Sequence, residues 1–222
     1  MSSSVARGQE DTTRADRRVN SLAKGAWALQ FAITRNFTLS SFEGQTISLK
    51  KQVSNHRAYR VSANINWGVS DDDVTETQDT TRRDTPTESD QAALGLVAHR
   101  ISYFQSTGRL GVYWGAGPRV SYTHTWSKTR TSPVNDSWSV REYTTDTWVA
   151  GVSVILGVEW FATPSISLLA EYGSVLSYEW RKRVSREEWI YGVTRSVTRR
   201  VEEHDGGKFA PEAVKFGLSV YW

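Results

Sequence analysis

The sequence contains no cysteine and a single methionine, and nowhere does it approach the roughly 18 consecutive apolar residues that a membrane-spanning helix requires. Disulfides and thiolate metal sites are therefore excluded. A strong charge of one sign is lacking too: 27 Lys and Arg against 24 Asp and Glu leave a net charge of +3, too small to point to nucleic acid. Mean hydropathy is low at -0.49. What the chain has in quantity is tryptophan and glycine, 10 and 16 in 222 residues, a length that suits one all-β domain. With helices excluded, a closed barrel of strands is the one remaining way to cross a bilayer, because the hydrocarbon core leaves no other means of satisfying the backbone.

The last nine residues, Val214 to Trp222, alternate strictly between apolar positions and small or polar ones and stop on an aromatic. The same period-two pattern recurs upstream and predicts eight strands. Trp27, Leu29, Phe31 and Ile33 alternate with small and polar residues in the first. Ile47, Leu49 and Val53 do so in the second, with Lys51 interrupting near an interface. Tyr59 to Val69 form the third, and the fourth runs from about 91 to 105. In that fourth strand Arg100 would follow Leu94, Leu96 and Ala98 outward, so a bulge near His99 and Arg100 is expected to turn the arginine inside. Leu110 to Thr123, Trp148 to Trp160, Ile166 to Trp180 and the C-terminal run complete the set. Connections alternate between tight turns (54–57, 106–108, 162–165) and long segments (35–44, 71–90, 128–140, 183–209), the arrangement of a barrel with short periplasmic turns and long outer loops.

Aromatic spacing gives an independent measure. Trp148 and Trp160 lie on one face of one strand, and twelve residues at a rise of about 3.3 Å and a tilt of about 45° separate them by roughly 28 Å along the membrane normal. That matches an apolar band of roughly 25 Å between two aromatic girdles. Trp27, Tyr59, Trp160 and Trp222 are assigned to the periplasmic girdle, and Trp67, Tyr122, Trp148 and Tyr178 to the outer one. On this alternation and the terminal aromatic, residues 25–222 resemble the small eight-stranded bacterial outer-membrane barrels, the class containing outer-membrane protein X and the transmembrane domain of outer-membrane protein A. The resemblance implies an antiparallel up-and-down transmembrane barrel with both termini in the periplasm. It further implies that Trp222 is part of the signal read by the barrel-assembly machinery. Residues 1–24 hold Arg7, Arg14, Arg17 and Arg18 but no apolar core of the kind a signal peptide needs. They are expected to be a polar tail, disordered or periplasmic, with the export signal removed or outside this sequence.

A barrel of eight strands is just wide enough for side chains to fill. The charges predicted inside are Lys50, Arg60, Arg119, Glu159, Glu171, Glu179 and Lys215, with Arg100 if the bulge forms. Mixed signs in so narrow a space call for pairing, since an unpaired buried charge costs several kcal/mol. Arg119 or Arg100 is the natural partner of Glu159 or Glu171. A proton or ion path, or a catalytic carboxylate pair, is the functional alternative.

Outside the membrane, Asp71, Asp72, Asp73, Glu76, Asp79, Asp84, Glu88 and Asp90 make the second long segment an acidic, solvated and mobile loop. The last long segment is predicted to fold back around Tyr191 and Gly192 as a protruding hairpin, with Arg181 near Glu202 and Arg183 near Arg200. Its Arg181, Lys182, Arg183, Arg186, Arg195, Arg199 and Arg200 form a rim suited to lipopolysaccharide phosphates. Among the small barrels, the lipid A deacylase would require a serine two residues after a membrane-facing histidine. Here that position after His124 is Trp126 and Ser127 lies on the other face, so His124 is read as interfacial. No histidine pair has metal-ligand spacing, and neither catalytic residue, metal nor cofactor is predicted.

Two function classes follow. One is a non-enzymatic structural or interaction barrel with a plugged lumen, whose hairpins or periplasmic side meet a protein partner, a surface or lipopolysaccharide. The other is a narrow channel or small-solute porin, with a lipid-modifying enzyme as a third.

Overall fold

The computed structural model describes residues 22–33, 46–78, 81–105, 108–131, 137–191 and 193–222. These form nine strand segments and no helix: β1 (Trp27–Ile33), β2 (Thr46–Ser54), β3 (Arg57–Gln78), β4 (Thr81–Gln105), β5 (Leu110–Thr131), β6 (Ser137–Thr163), β7 (Ile166–Tyr191), β8 (Thr194–Pro211) and β9 (Lys215–Tyr221). From β1 to β8 each pairs antiparallel with its sequence neighbour, and β9 pairs with both β7 and β1. Because β8 and β9 are two parts of one stave laid along β7, the ring has eight staves and closes on itself. The break falls at residues 212–214, where the Glu212 amide donates to the Gly173 carbonyl at 2.8 Å. At the seam, Trp27 and Trp222 exchange two backbone hydrogen bonds of 3.0 Å.

The stagger of the ring follows from its register. Stepping from Ser219 through partners Gln30, Ser48, Ser62, Val97, Arg119 and Gly151 arrives at Ser177, whereas the β7 residue beside Ser219 is Ser167. One circuit therefore advances ten residues along β7. With strands about 4.8 Å apart and a rise of about 3.3 Å, eight staves at this stagger tilt by about 40°.

The two faces of every stave separate by chemistry, and apolar side chains take the outside. Val152, Val154, Leu156 and Val158 point outward, Val154 being 49 % exposed, while Ser153 between them is 2 % exposed. Glycine on the inner face makes room for large neighbours where the interior is narrow: a Cβ on Gly157 would lie 2.4 Å from Cζ of Tyr113. An apolar interior cluster includes Ala28, Ala58, Ile101 and Phe161, packed with Leu22, and extends up to Ile155. Leu22 is 2 % exposed, so the packed region begins ahead of the boundary expected at residue 25. Residues 1–21 of the anticipated tail lie outside the described residues.

Three local expectations differ from the structure. β4 keeps constant register against β3 and β5 through residues 97–101, with no bulge there; the irregularity falls between Tyr103 and Gln105. The alternation therefore runs on unbroken, His99 is buried inside, and Arg100 is exposed on the outer face. It stands directly across from Tyr59, beside the row that holds Trp27 and Lys51. A long side chain at that level reaches polar surroundings by extending along the barrel wall, so no inward turn is needed.

The acidic segment is likewise not an open loop, because the β3–β4 ladder continues from Ser70–Ser89 up to Gln78–Thr81. Val74, Thr75, Thr77, Thr85 and Thr87 supply β-branched residues between the acids, and these favour the pleated conformation. The β7–β8 hairpin turns one residue later than predicted. Arg181 faces His204 and Arg183 faces Glu202.

Candidate functional site

The barrel interior is a stack of polar layers, and the lowest is built around Glu159 on β6. Its carboxylate, 0 % exposed, accepts from Lys50 Nζ at 2.9 and 3.2 Å, from the Tyr103 and Tyr221 hydroxyls at 2.7 Å each, from Ser219 at 3.2 Å, and from Ser167. Lys50, 1 % exposed, reaches across from β2 and also donates to the Tyr103 hydroxyl at 2.9 Å and to that of Tyr221. Its ammonium lies 4.8 Å from the centroid of the Tyr221 ring. Both charges thus have their hydrogen-bonding capacity satisfied by five different staves, the condition under which a buried pair becomes tolerable.

Next along the axis, Arg60 on β3 grips Glu171 on β7 with both terminal guanidinium nitrogens, Nη2 at 3.1 Å, and the Tyr113 hydroxyl donates to the same carboxylate. Arg60 Nη2 also meets His99 Nδ1 at 3.3 Å. Since arginine has no acceptor, Nδ1 must accept, which leaves the imidazole neutral with its proton on Nε2, directed at Ser153 Oγ 3.1 Å away. Arg60 Nε is buried and has no hydrogen-bond partner among the described residues.

Above this layer the interior opens into a cavity of about 390 Å³. Arg60, His99 and Glu171 line its floor, while Arg119, Glu212 and Lys215 stand at its mouth. Glu212 bridges the two cations: Arg119 donates to one carboxylate oxygen, and Lys215 Nζ to the other at 2.7 Å.

The predicted interior charges accordingly sort into three groups. Lys50, Arg60, Glu159 and Glu171 are buried; Arg119 and Lys215 are half-buried at the mouth; Glu179 lies higher, paired with Arg181. Arg100 belongs to the outer face. The carboxylates pair with Lys50 and Arg60, not with Arg119 or Arg100. Glu212 escaped the sequence reading because it shares parity with the outward Val214 and Phe216. Only the strand break, whose one visible sign is Pro211, lets its side chain swing inward. Tyr221 is legible as inward by parity alone, whereas the bulge expected near His99 and Arg100 would turn Tyr103 outward, and nothing in the sequence says that the two hydroxyls converge on Glu159.

On the outside, all eight aromatics assigned to girdles lie on the outer face. Tyr122 and Trp148 pack with tilted rings, centroids 4.7 Å apart, as do Tyr178 and Trp180 at 4.8 Å; Lys51 sits over Trp27 at 4.8 Å. Just beyond Trp148, Asp146 accepts from Tyr122 and lies 2.7 Å from His124. Hydrogen bonds from His124 and Tyr122 hold its carboxyl below the usual range. Among the described residues His124 therefore meets an aspartate and no serine.

The basic side chains of the β7–β8 hairpin are largely matched within it or by β6. Lys182 pairs with Glu203, Arg195 with Glu188 and Arg200 with Glu202, and Arg183 lies 4.5 Å from the Tyr143 ring. Such exposed pairs contribute little stability individually.

No family model and no curated protein matches the chain. Similar solved structures include a major outer membrane protein from Thermus thermophilus, at 9% identity and TM-score 0.46, covering 89% of this chain and 99% of that one. Acinetobacter baumannii CarO is similar at 13% identity and TM-score 0.38 (91% and 100% covered), and CarO2 at 10% and 0.37 (90% and 99%).

Proposed function

We propose that this chain is a non-enzymatic bacterial outer-membrane barrel, closed to ion flow, that acts at the cell surface through its protruding hairpins. The outward apolar band between aromatic rows supports insertion, because a soluble barrel would bury that surface and expose the charges now inside. Both termini belong at the short-turn end, which faces the periplasm in a barrel of even stave number.

The observation that carries the closed-lumen reading is the Lys50–Glu159 layer. A carboxylate with no exposed surface, ringed by hydroxyls and backed by Phe161, Ile101 and Leu22, supports a lumen without an aqueous path at this level. Planar-bilayer recording of the purified protein should show no reproducible unitary current at low voltage. A stable single-channel conductance would replace this reading with the narrow-channel one.

The surface role rests on unpaired edges. Above Asn64 the side of β3 that faces β2 has no ladder partner among the described residues, and β8 pairs with β7 alone. Exposed edges of this length can accept a strand from a protein partner. Lipopolysaccharide is the other expected contact, through whichever hairpin arginines release their acidic neighbours to phosphate.

The barrel-assembly machinery is the partner during biogenesis, and Trp222 is the residue it reads. Trp222→Asp is expected to lower outer-membrane yield several-fold in cells, measured by membrane fractionation, while the protein still refolds in detergent. Undiminished yield would show that the terminal aromatic is not needed.

A further inference from the structure

We propose that the cavity at the hairpin end of the lumen is a binding site for a small hydroxylated monoanion of the sugar-acid class. Its volume of about 390 Å³ falls in the roughly 300–1,000 Å³ range of small-ligand sites. Three cations line it, Arg60, Arg119 and Lys215, against two carboxylates, Glu171 and Glu212, and the geometry of the Arg60 contact fixes His99 as neutral. One positive charge is left over.

Its location is specific. On the floor Arg60 and Glu171 neutralise each other bidentately, whereas at the mouth Arg119 and Lys215 share the single carboxylate of Glu212. A ligand carboxylate at the mouth would complete that half-compensated pair. The rest of the lining mixes hydroxyls with apolar groups. Ser62, Ser121 and Thr123 line the wall with the amide of Asn64, and Val97, Ile155 and Leu169 stand among them. Polar groups alternating with apolar ones in this way match the hydroxyls and C–H faces of a sugar, and a wholly apolar acid would strand the hydroxyls and the amide. Closure below by the Glu159 layer makes the site a cup entered from the hairpin end, so the inference shares that premise with the proposed function without depending on any hairpin partner.

Isothermal titration of the full chain in detergent with D-glucuronate, D-glucose and D-glucosamine tests it. Saturable one-to-one binding of glucuronate is expected, with glucose at least tenfold weaker and glucosamine weaker still. Lys215→Gln should weaken glucuronate at least tenfold, and Glu212→Gln, which frees a second positive charge, should tighten it. Both variants change half-buried mouth residues, and heat-modifiable migration on gels verifies that each is folded. Equal affinity for glucuronate and glucose, no saturable glucuronate binding, or indifference to both substitutions would overturn the proposal. Absence of binding in a barrel that conducts no current removes this inference alone; absence of binding in one that conducts removes the closed-lumen reading as well.

Discussion

Replacing Glu159 with alanine is expected to cost about 3–5 kcal/mol of unfolding free energy, the usual penalty for stranding one member of a buried ion pair. The loss exceeds a single contact. Lys50, 1 % exposed, would be left either charged without a counter-charge or stripped of its proton, and the hydroxyls of Tyr103, Tyr221, Ser167 and Ser219 would lose their common acceptor. Removing both charges together in Lys50→Met with Glu159→Leu should recover most of that loss, since apolar residues of similar volume often match or improve on a buried pair. The measurement is reversible urea unfolding in lipid vesicles, followed by tryptophan fluorescence, for both single variants and the double. Additive single effects would mean that the two groups are not coupled.

Val154→Arg should destabilise the barrel by about 2–4 kcal/mol, the cost of a lipid-facing arginine near the bilayer midplane. Ser153→Ala, one residue away, removes only the hydroxyl that meets His99 Nε2 and should cost about 1 kcal/mol. Nitroxide labels at the two positions supply the control: a label at 154 should be accessible to oxygen in vesicles and one at 153 shielded. If the accessibilities came out reversed, the membrane assignment would fall and a soluble carrier with an apolar interior would take its place.

The fold was readable because lipid on one side and a crowded polar lumen on the other impose opposite chemistry on alternate residues, and a period of two survives in single sequences. Strand number, the tight turns and the outward aromatics all follow from that one regularity. Arg100 marks its limit. A charged residue in phase with Leu94, Leu96 and Ala98 looks like a violation until the barrel wall supplies Tyr59 beside it and an interface to reach. Pairing inside the lumen was harder, because which cation meets which carboxylate depends on stagger around the ring. Lys50 and Glu159 lie 109 positions apart and come together only through tilt and closure. The acidic segment misled for another reason. Composition marks solvation, but strands that rise out of a membrane can be solvated and still paired.

The reciprocal backbone bonds between Trp27 and Trp222 join residues near the start of the first stave and at the very end of the last. No subset of staves can close, and the seam forms only after all of the intervening chain exists and has found its register. Contacts this distant in sequence repay their loop-closure entropy late, which makes folding slow and leaves open edges exposed until the final step. The kinetic barrier to opening the same seam then works in the folded protein's favour. Once zipped, every stave is held along both edges, and none can leave without breaking two ladders.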